Sequence, residues 1–79
     1  MAAYNVDYIL MLNNYLQATG EAPYLIWAYD QEGPQHQVIH RAIARLGNTV
    51  WGEGRAPSRS VARQMAAHMF LFNRGQVQG

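Results

Sequence analysis

Two stretches of this chain, one near each end, repeat apolar residues at intervals of three and four, and the segment between them alternates instead. Near the start, Ile9, Leu12, Tyr15 and Leu16 fall on one helical face, while Asp7, Leu10, Asn13, Asn14 and Gln17 take the other. This predicts a helix from Asn5 to about Ala18, with Asn5 as N-cap, Asp7 in the first turn and Thr19-Gly20 at the end. Near the other end, Val61, Ala62, Met65, Ala66, Met69 and Phe70 predict the buried stripe of a second helix. It runs from about Arg59 to Asn73, capped by Ser58 and stopped at Gly75. Arg59 and Arg63, four residues apart, share a face of it that is expected to point outward. The tail from Gln76 to Gly79 is expected to fray.

The middle of the chain reads as strands. Pro23 opens the first, through about Asp30, and Gln31 to Gln35 is a turn marked by Gly33-Pro34. The second runs from about Gln37 to Leu46, Gly47-Asn48 turns, and the third covers Thr49 to Glu53, followed by a loop from Gly54 to Pro57. The order gives an α+β fold, α-β-β-β-α, with a three-stranded antiparallel sheet and both helices packed on one face.

Alternation in the second strand tells which residues meet the helices. Its even set is Val38, His40, Ala42, Ala44 and Leu46; its odd set is Ile39, Arg41, Ile43 and Arg45. Burying two arginines costs far more than exposing two isoleucines, so the even set faces inward. The first strand leaves the choice open, because Tyr24, Ile26 and Ala28 are as apolar as Leu25, Trp27 and Tyr29. Either way an apolar set joins Ile39 and Ile43 outside, with Val50 or Trp51 from the third strand. Such a cluster marks a contact surface. Trp27, Ile39, Arg41, Ile43 and Arg45 are therefore candidate protein-interface residues, and a second copy of the chain is the expected partner.

Composition narrows the function classes. The 79 residues make one domain, with a core from about residue 5 to 73. There is no cysteine, hence no disulfide framework and no thiolate metal site. No apolar run reaches a membrane span, and no basic segment precedes an apolar stretch at the start, so an intracellular protein of cytoplasm or nucleus is expected. His36 and His40, four residues apart on a strand, stand about 13 Å from each other, too far to share an ion, so neither metal nor cofactor is expected. His36 reads as a loop hydrogen-bonder, His40 as a half-buried packing residue and His68 as an exposed or edge residue. Ser58 and Ser60 have no base beside them, and the acids are not spaced as a catalytic pair, so no enzyme is expected. The net charge is only +1, yet its distribution is uneven. Every basic residue is arginine, at 41, 45, 55, 59, 63 and 74, whereas Asp7, Glu21, Asp30 and Glu32 lie in the first half. The second half is therefore basic.

Leu12-Asn13-Asn14-Tyr15, Gly33-Pro34-Gln35-His36, Gly52-Glu53-Gly54, then Ser58-Arg59-Ser60-Val61-Ala62-Arg63 and Ala66-Ala67 form an ordered set. From Leu12 to Leu71, about three quarters of the chain, it resembles the double-stranded RNA-binding domain, and as a whole the small single-domain fungal members of that family. The resemblance implies a non-catalytic module that reads A-form duplex RNA by shape, independent of sequence. It places Asn13, Asn14, Pro34 and His36 against minor grooves, and the start of the second helix, Arg59, Ser60 and Arg63, against phosphates. Ser60 stands where the family has a basic residue, Asn14 where glutamate is common, and His40 where an aromatic core residue is usual. The alternative is the same fold turned to protein contact or homodimerisation, with RNA binding weak or lost.

Overall fold

Asp7 begins the first helix in the computed structural model, which describes residues 6–78; Asn5 lies outside the described residues. Helix α1 spans Tyr8–Thr19, and the Asp7 carboxylate accepts the Leu10 backbone N–H at 3.0 Å. Such a cap satisfies one of the backbone donors that the first turn of a helix leaves unpaired. Leu12 and Leu16 are fully buried, Ile9 and Tyr15 half-buried, and Leu10, Asn13, Asn14 and Gln17 exposed, as the spacing requires. At the far end Gly20 turns left-handed, φ 78°, which lets the Glu21 N–H reach back to the Leu16 carbonyl at 2.8 Å.

A 3-10 turn at Ala22–Tyr24 occupies what reads as the start of the first strand, because Pro23 suits the first turn of a helix and offers no ladder N–H. Strand β1 then covers Leu25–Glu32, β2 covers Ile39–Leu46 and β3 covers Thr49–Ala56, in spatial order β1-β2-β3, all antiparallel. A second 3-10 turn at Gln35–Gln37 delays the start of β2. The third strand is longer than its sequence indicates: Gly54, Arg55 and Ala56 pair with Ala42, Arg41 and His40 instead of forming a loop. Near its start, Ala44 pairs with Gly52 but Arg45 with Val50, so Trp51 is a bulge. The bulge turns Val50 outward with Arg45 and sends Trp51 to the helix side, its ring 6.0 Å from that of Phe70.

Helix α2 spans Arg59–Asn73 and lies over β3 and β2, with α1 beside it. Its buried stripe is Ala62, Ala66, Ala67, Phe70 and Leu71. Met69, expected inside, is 41% exposed, and Val61 and Met65 are half-buried. The helix is rotated so that its small residues press on the sheet. Gly52 and Gly54 make that approach possible. A Cβ at Gly52 would overlap the Ala66 carbonyl oxygen, and one at Gly54 would overlap that of Ala62. The core is accordingly graded. Leu12, Leu16, Phe70 and Leu71 fill one end, while Ala42, Ala56, Ala62 and Ala66 form the other, where helix and sheet nearly touch.

Gln64 fastens the two helices together: its side-chain oxygen accepts the Tyr8 N–H at 2.8 Å, and its amide donates to Asp7 at 3.2 Å. His68, expected exposed or at an edge, is half-buried and stacks on Tyr8 with ring centroids 4.3 Å apart. The tail is tied down as well. Gly75, φ 72°, carries the Gln76 N–H back to the Leu71 carbonyl at 2.8 Å, and Val77 packs against the large-residue core.

Candidate nucleic-acid interface

The start of α2 carries two of the three arginines that have no carboxylate within ion-pair distance among the described residues. The Ser58 hydroxyl accepts the Val61 N–H and lies 3.1 Å from the Ser60 hydroxyl, leaving the first turn of the helix exposed. Arg59 and Arg63 leave this turn on one side, as their spacing predicts, but they do not project freely into solvent. They lean across β1. The Arg59 guanidinium lies 3.9 Å from the centroid of the Tyr29 ring, and that of Arg63 lies 5.1 Å from Trp27. Arg59 stays exposed; Arg63 is half-buried, and its Nε, shielded from solvent, has no hydrogen-bond partner among the described residues.

This contact settles the first strand. Trp27 pairs with the fully buried Ala44 and packs into both parts of the core, so Leu25, Trp27 and Tyr29 face the helices. Trp27, expected on the outer interface with Ile39 and Ile43, is therefore on the opposite face of the sheet. Ile26, 40% exposed, takes the outer position. Either parity is apolar, so the pattern alone could not choose; the aromatic set wins because only its rings can cover the alanine-lined end of the core and carry two guanidinium groups.

Arg41, Arg55 and Arg74 are engaged by carboxylates. Arg41 sits mid-sheet, with its Nε 3.1 Å from each carboxylate oxygen of Asp30 and its Nη1 3.5 Å from Glu53. Asp30 thereby raises the Arg41 pKa above its ordinary value. Arg55 reaches Glu32 at 3.6 Å and Glu53 at 3.5 Å. Arg74 donates to Glu21 at 2.8 Å and lies 4.7 Å from the Trp51 ring centroid, latching the ends of the two helices. Among the described residues, only Arg45, Arg59 and Arg63 have no carboxylate within ion-pair distance. Arg45 is half-buried on the outer face between Ile26 and Val50.

The minor-groove candidates are exposed but on separate elements. Asn13 and Asn14 occupy the solvent side of α1, and Pro34 and His36 the loop before β2. No hydrogen bond or ion pair among the described residues joins them to each other or to α2. A cleft of about 340 Å³ opens where β1 meets the start of α2, lined by Tyr29, Asp30, Gln31, His40, Arg41 and Arg59.

The outer face is less apolar than its isoleucines suggest. Toward the Gly33 loop it is an ionic ladder of Asp30, Arg41, Glu53, Arg55 and Glu32, with half-buried Ile39 beside it. Toward the other end lie Ile26, half-buried Ile43 and Val50, which is 55% exposed. The chain matches no protein-family model and no curated protein. Its fold is the helix, three antiparallel strands and helix described above.

The residues that the sequence reading missed are Tyr29 as a partner of Arg59, and Gln64. A signal existed for the first. Trp27 and Tyr29 are spaced by two in a strand, Arg59 and Arg63 by four in a helix, and these spacings match at roughly 6–7 Å. Gln64 had no signal, because its partners lie 56 and 57 residues away.

Proposed function

We propose that this chain is a double-stranded RNA-binding module without catalytic activity. The observation that carries the reading is the start of α2, where Arg59 and Arg63, neither within ion-pair distance of a carboxylate, lie on one side of an exposed, serine-capped helix N-terminus. Unpaired backbone N–H groups and the helix dipole favour an anion there, and the arginines add in-plane donors suited to phosphate oxygens. The other two exposed sets, Asn13 with Asn14 and Pro34 with His36, offer hydrogen-bonding groups to 2′-hydroxyls and base edges in the minor groove. A module of this kind spans about 16 base pairs and reads shape. The element order, the exposed Gly-Pro-Gln-His loop and the resemblance stated above all support it.

The test compares duplex RNA with duplex DNA of the same length and sequence over a range of salt. The RNA should bind more tightly, and its log affinity should fall linearly with log salt. Equal affinity for the two duplexes would remove the reading, since B-form DNA has neither the groove geometry nor the 2′-hydroxyl.

A second reading is favoured by one observation: Ile26 and Val50 stand exposed next to Ile43 on the outer face. In this reading the apolar end of the sheet is a homodimer contact. Sedimentation of the wild type against Ile26→Asp with Ile43→Asp decides it. A wild type that is monomeric at high micromolar concentration excludes it.

A further inference from the structure

The two arginines of α2 are matched, ring for guanidinium, to two aromatic residues of β1. The Trp27 and Tyr29 rings stand 6.1 Å apart and within 6° of parallel. Arg63 covers the first and Arg59 the second, so the order along the helix runs opposite to that along the strand. The match depends on the closeness of α2 to the sheet, and that closeness comes from Gly54 beneath Ala62 and Ala66. A larger residue at any of these positions would lift the guanidinium groups off the rings.

Stacking engages the π face of a guanidinium. Its N–H donors lie in the plane, so the stack itself does not occupy them; Arg59 stays exposed, whereas the Nε of Arg63 is shielded and leaves its terminal nitrogens to bind. An arginine held this way has already given up much of the side-chain freedom it would otherwise lose on gripping a phosphate, so less binding energy is spent on ordering it. The geometry points to Tyr29 and Trp27 as positioning residues: an aromatic rack on the first strand that holds Arg59 and Arg63 in the pose in which they meet the phosphodiester oxygens of a duplex. This rests on the RNA-binding reading of the same helix. The rack acts through the arginines and touches no phosphate itself. It also explains why this strand carries large aromatic residues at two successive inward positions, one of them, Tyr29, still 36% exposed.

The experiment uses Tyr29, because Trp27 is also part of the core and its removal risks the fold. Tyr29→Leu and Tyr29→Phe are made in the wild type and in Arg59→Ala. Two quantities are read: the NMR shifts of the Arg59 side-chain protons in the free protein, and the affinity for an RNA duplex of about 20 base pairs, slightly longer than one binding footprint. Arg59 protons should be shifted upfield by the ring in the wild type and in Tyr29→Phe, and should return to ordinary values in Tyr29→Leu. Tyr29→Leu should weaken duplex binding about three-fold, the scale of one exposed cation–π contact. Tyr29→Phe should leave affinity unchanged, and Tyr29→Leu should add nothing once Arg59 is alanine. Unshifted Arg59 protons in a wild type that binds duplex overturn the rack. So does a Tyr29→Leu loss that is equally large in Arg59→Ala, which would mean that Tyr29 contacts RNA itself. A wild type with shifted Arg59 protons and no duplex binding overturns the RNA reading, and with it the positioning role, leaving the stack as a packing contact.

Discussion

On the outer face of the sheet, Arg41 and Arg55 lie among Asp30, Glu32 and Glu53; on the helix side, Arg59 and Arg63 lie on the rings of Tyr29 and Trp27. The same residue type thus meets opposite surroundings within one small domain. An arginine paired to carboxylates projects little field, and its exposed ion pairs contribute little stability. An arginine on an aromatic ring keeps its full charge and its in-plane donors. The net charge of +1 therefore says little about binding. What matters is that three acids are spent on Arg41 and Arg55 of the outer face, whereas two of the three arginines with no carboxylate in ion-pair distance, Arg59 and Arg63, stand together at the start of α2.

The largest effect comes from disturbing the contact on which the helix-side arrangement depends. Gly54→Ala places a methyl group against the Ala62 carbonyl and the Ala66 amide, so α2 must lift from β3. Overpacking of this kind costs about 1–3 kcal/mol, and the melting temperature should fall by roughly 10 °C. Its neighbour Glu53→Ala, on the outer face, should shift melting by only a few degrees, about the worth of exposed ion pairs. Calorimetry of the two variants checks this; similar melting temperatures would mean that the helix yields without cost.

Next comes the direct exchange of faces. Arg59→Ala with Arg63→Ala should weaken duplex RNA binding on the order of ten-fold and reduce the salt slope by about two phosphate contacts. Arg41→Ala with Arg55→Ala should change affinity less than about two-fold, because those cations are already neutralised. Equal losses in fluorescence-anisotropy titrations of the two double variants would erase the distinction between the faces.

A smaller change sharpens it. Ser60→Lys adds a cation to the exposed first turn of α2, beside Arg59, and should tighten duplex binding a few-fold while steepening the salt slope by about one unit. Titrations at several salt concentrations check it, and an unchanged slope would place the phosphates away from that turn.

The smallest effect is on acid stability, and its carboxyls, Asp7 and Glu21, lie at the ends of α1, Asp7 also within the field of Arg63. In the fold the Asp7 carboxyl sits below its ordinary pKa, first because it accepts the Leu10 N–H and then through Gln64. Glu21 is also lowered, first by the Thr19 hydroxyl and then by Arg74. Both carboxyls bind protons more readily in the unfolded chain. Their stabilisation is complete above the ordinary carboxylate range and is lost as pH falls through the lower, folded values. Melting temperature should hold from neutral pH down to about 5 and drop below about 4. Asp7→Asn with Glu21→Gln should flatten that drop in melts recorded across acid pH.

Much of this arrangement is legible in the chain. Leu12 and Leu16, four apart, define the buried side of α1, and Arg41 and Arg45 exclude the odd face of β2 from the core. Ser58, Arg59 and Arg63 mark the start of α2 and the cations on it. Other features are not legible, for identifiable reasons. Met69 looks as apolar as Ala67 or Leu71, and only the closeness of β3 selects the smaller side chains for the sheet. The Trp51 bulge breaks a period of two that strand patterning assumes. Val77 reads as tail because nothing near it in sequence shows the core it covers.

The sequence by itself determined the order of elements, the inward face of the central strand and the turn at which cations accumulate, because these follow from local spacing and from the cost of burying charge. Only the tertiary structure decided which face of β1 looks inward, which arginines are neutralised and which lie on rings. Those outcomes depend on partners far apart in the chain, such as Arg41 with Asp30 and Glu53, or Arg59 with Tyr29. Arg59 and Arg63 reach the rings because Gly52 and Gly54 let α2 lie close on the sheet, whereas Arg41 meets its carboxylates across neighbouring strands of the other face.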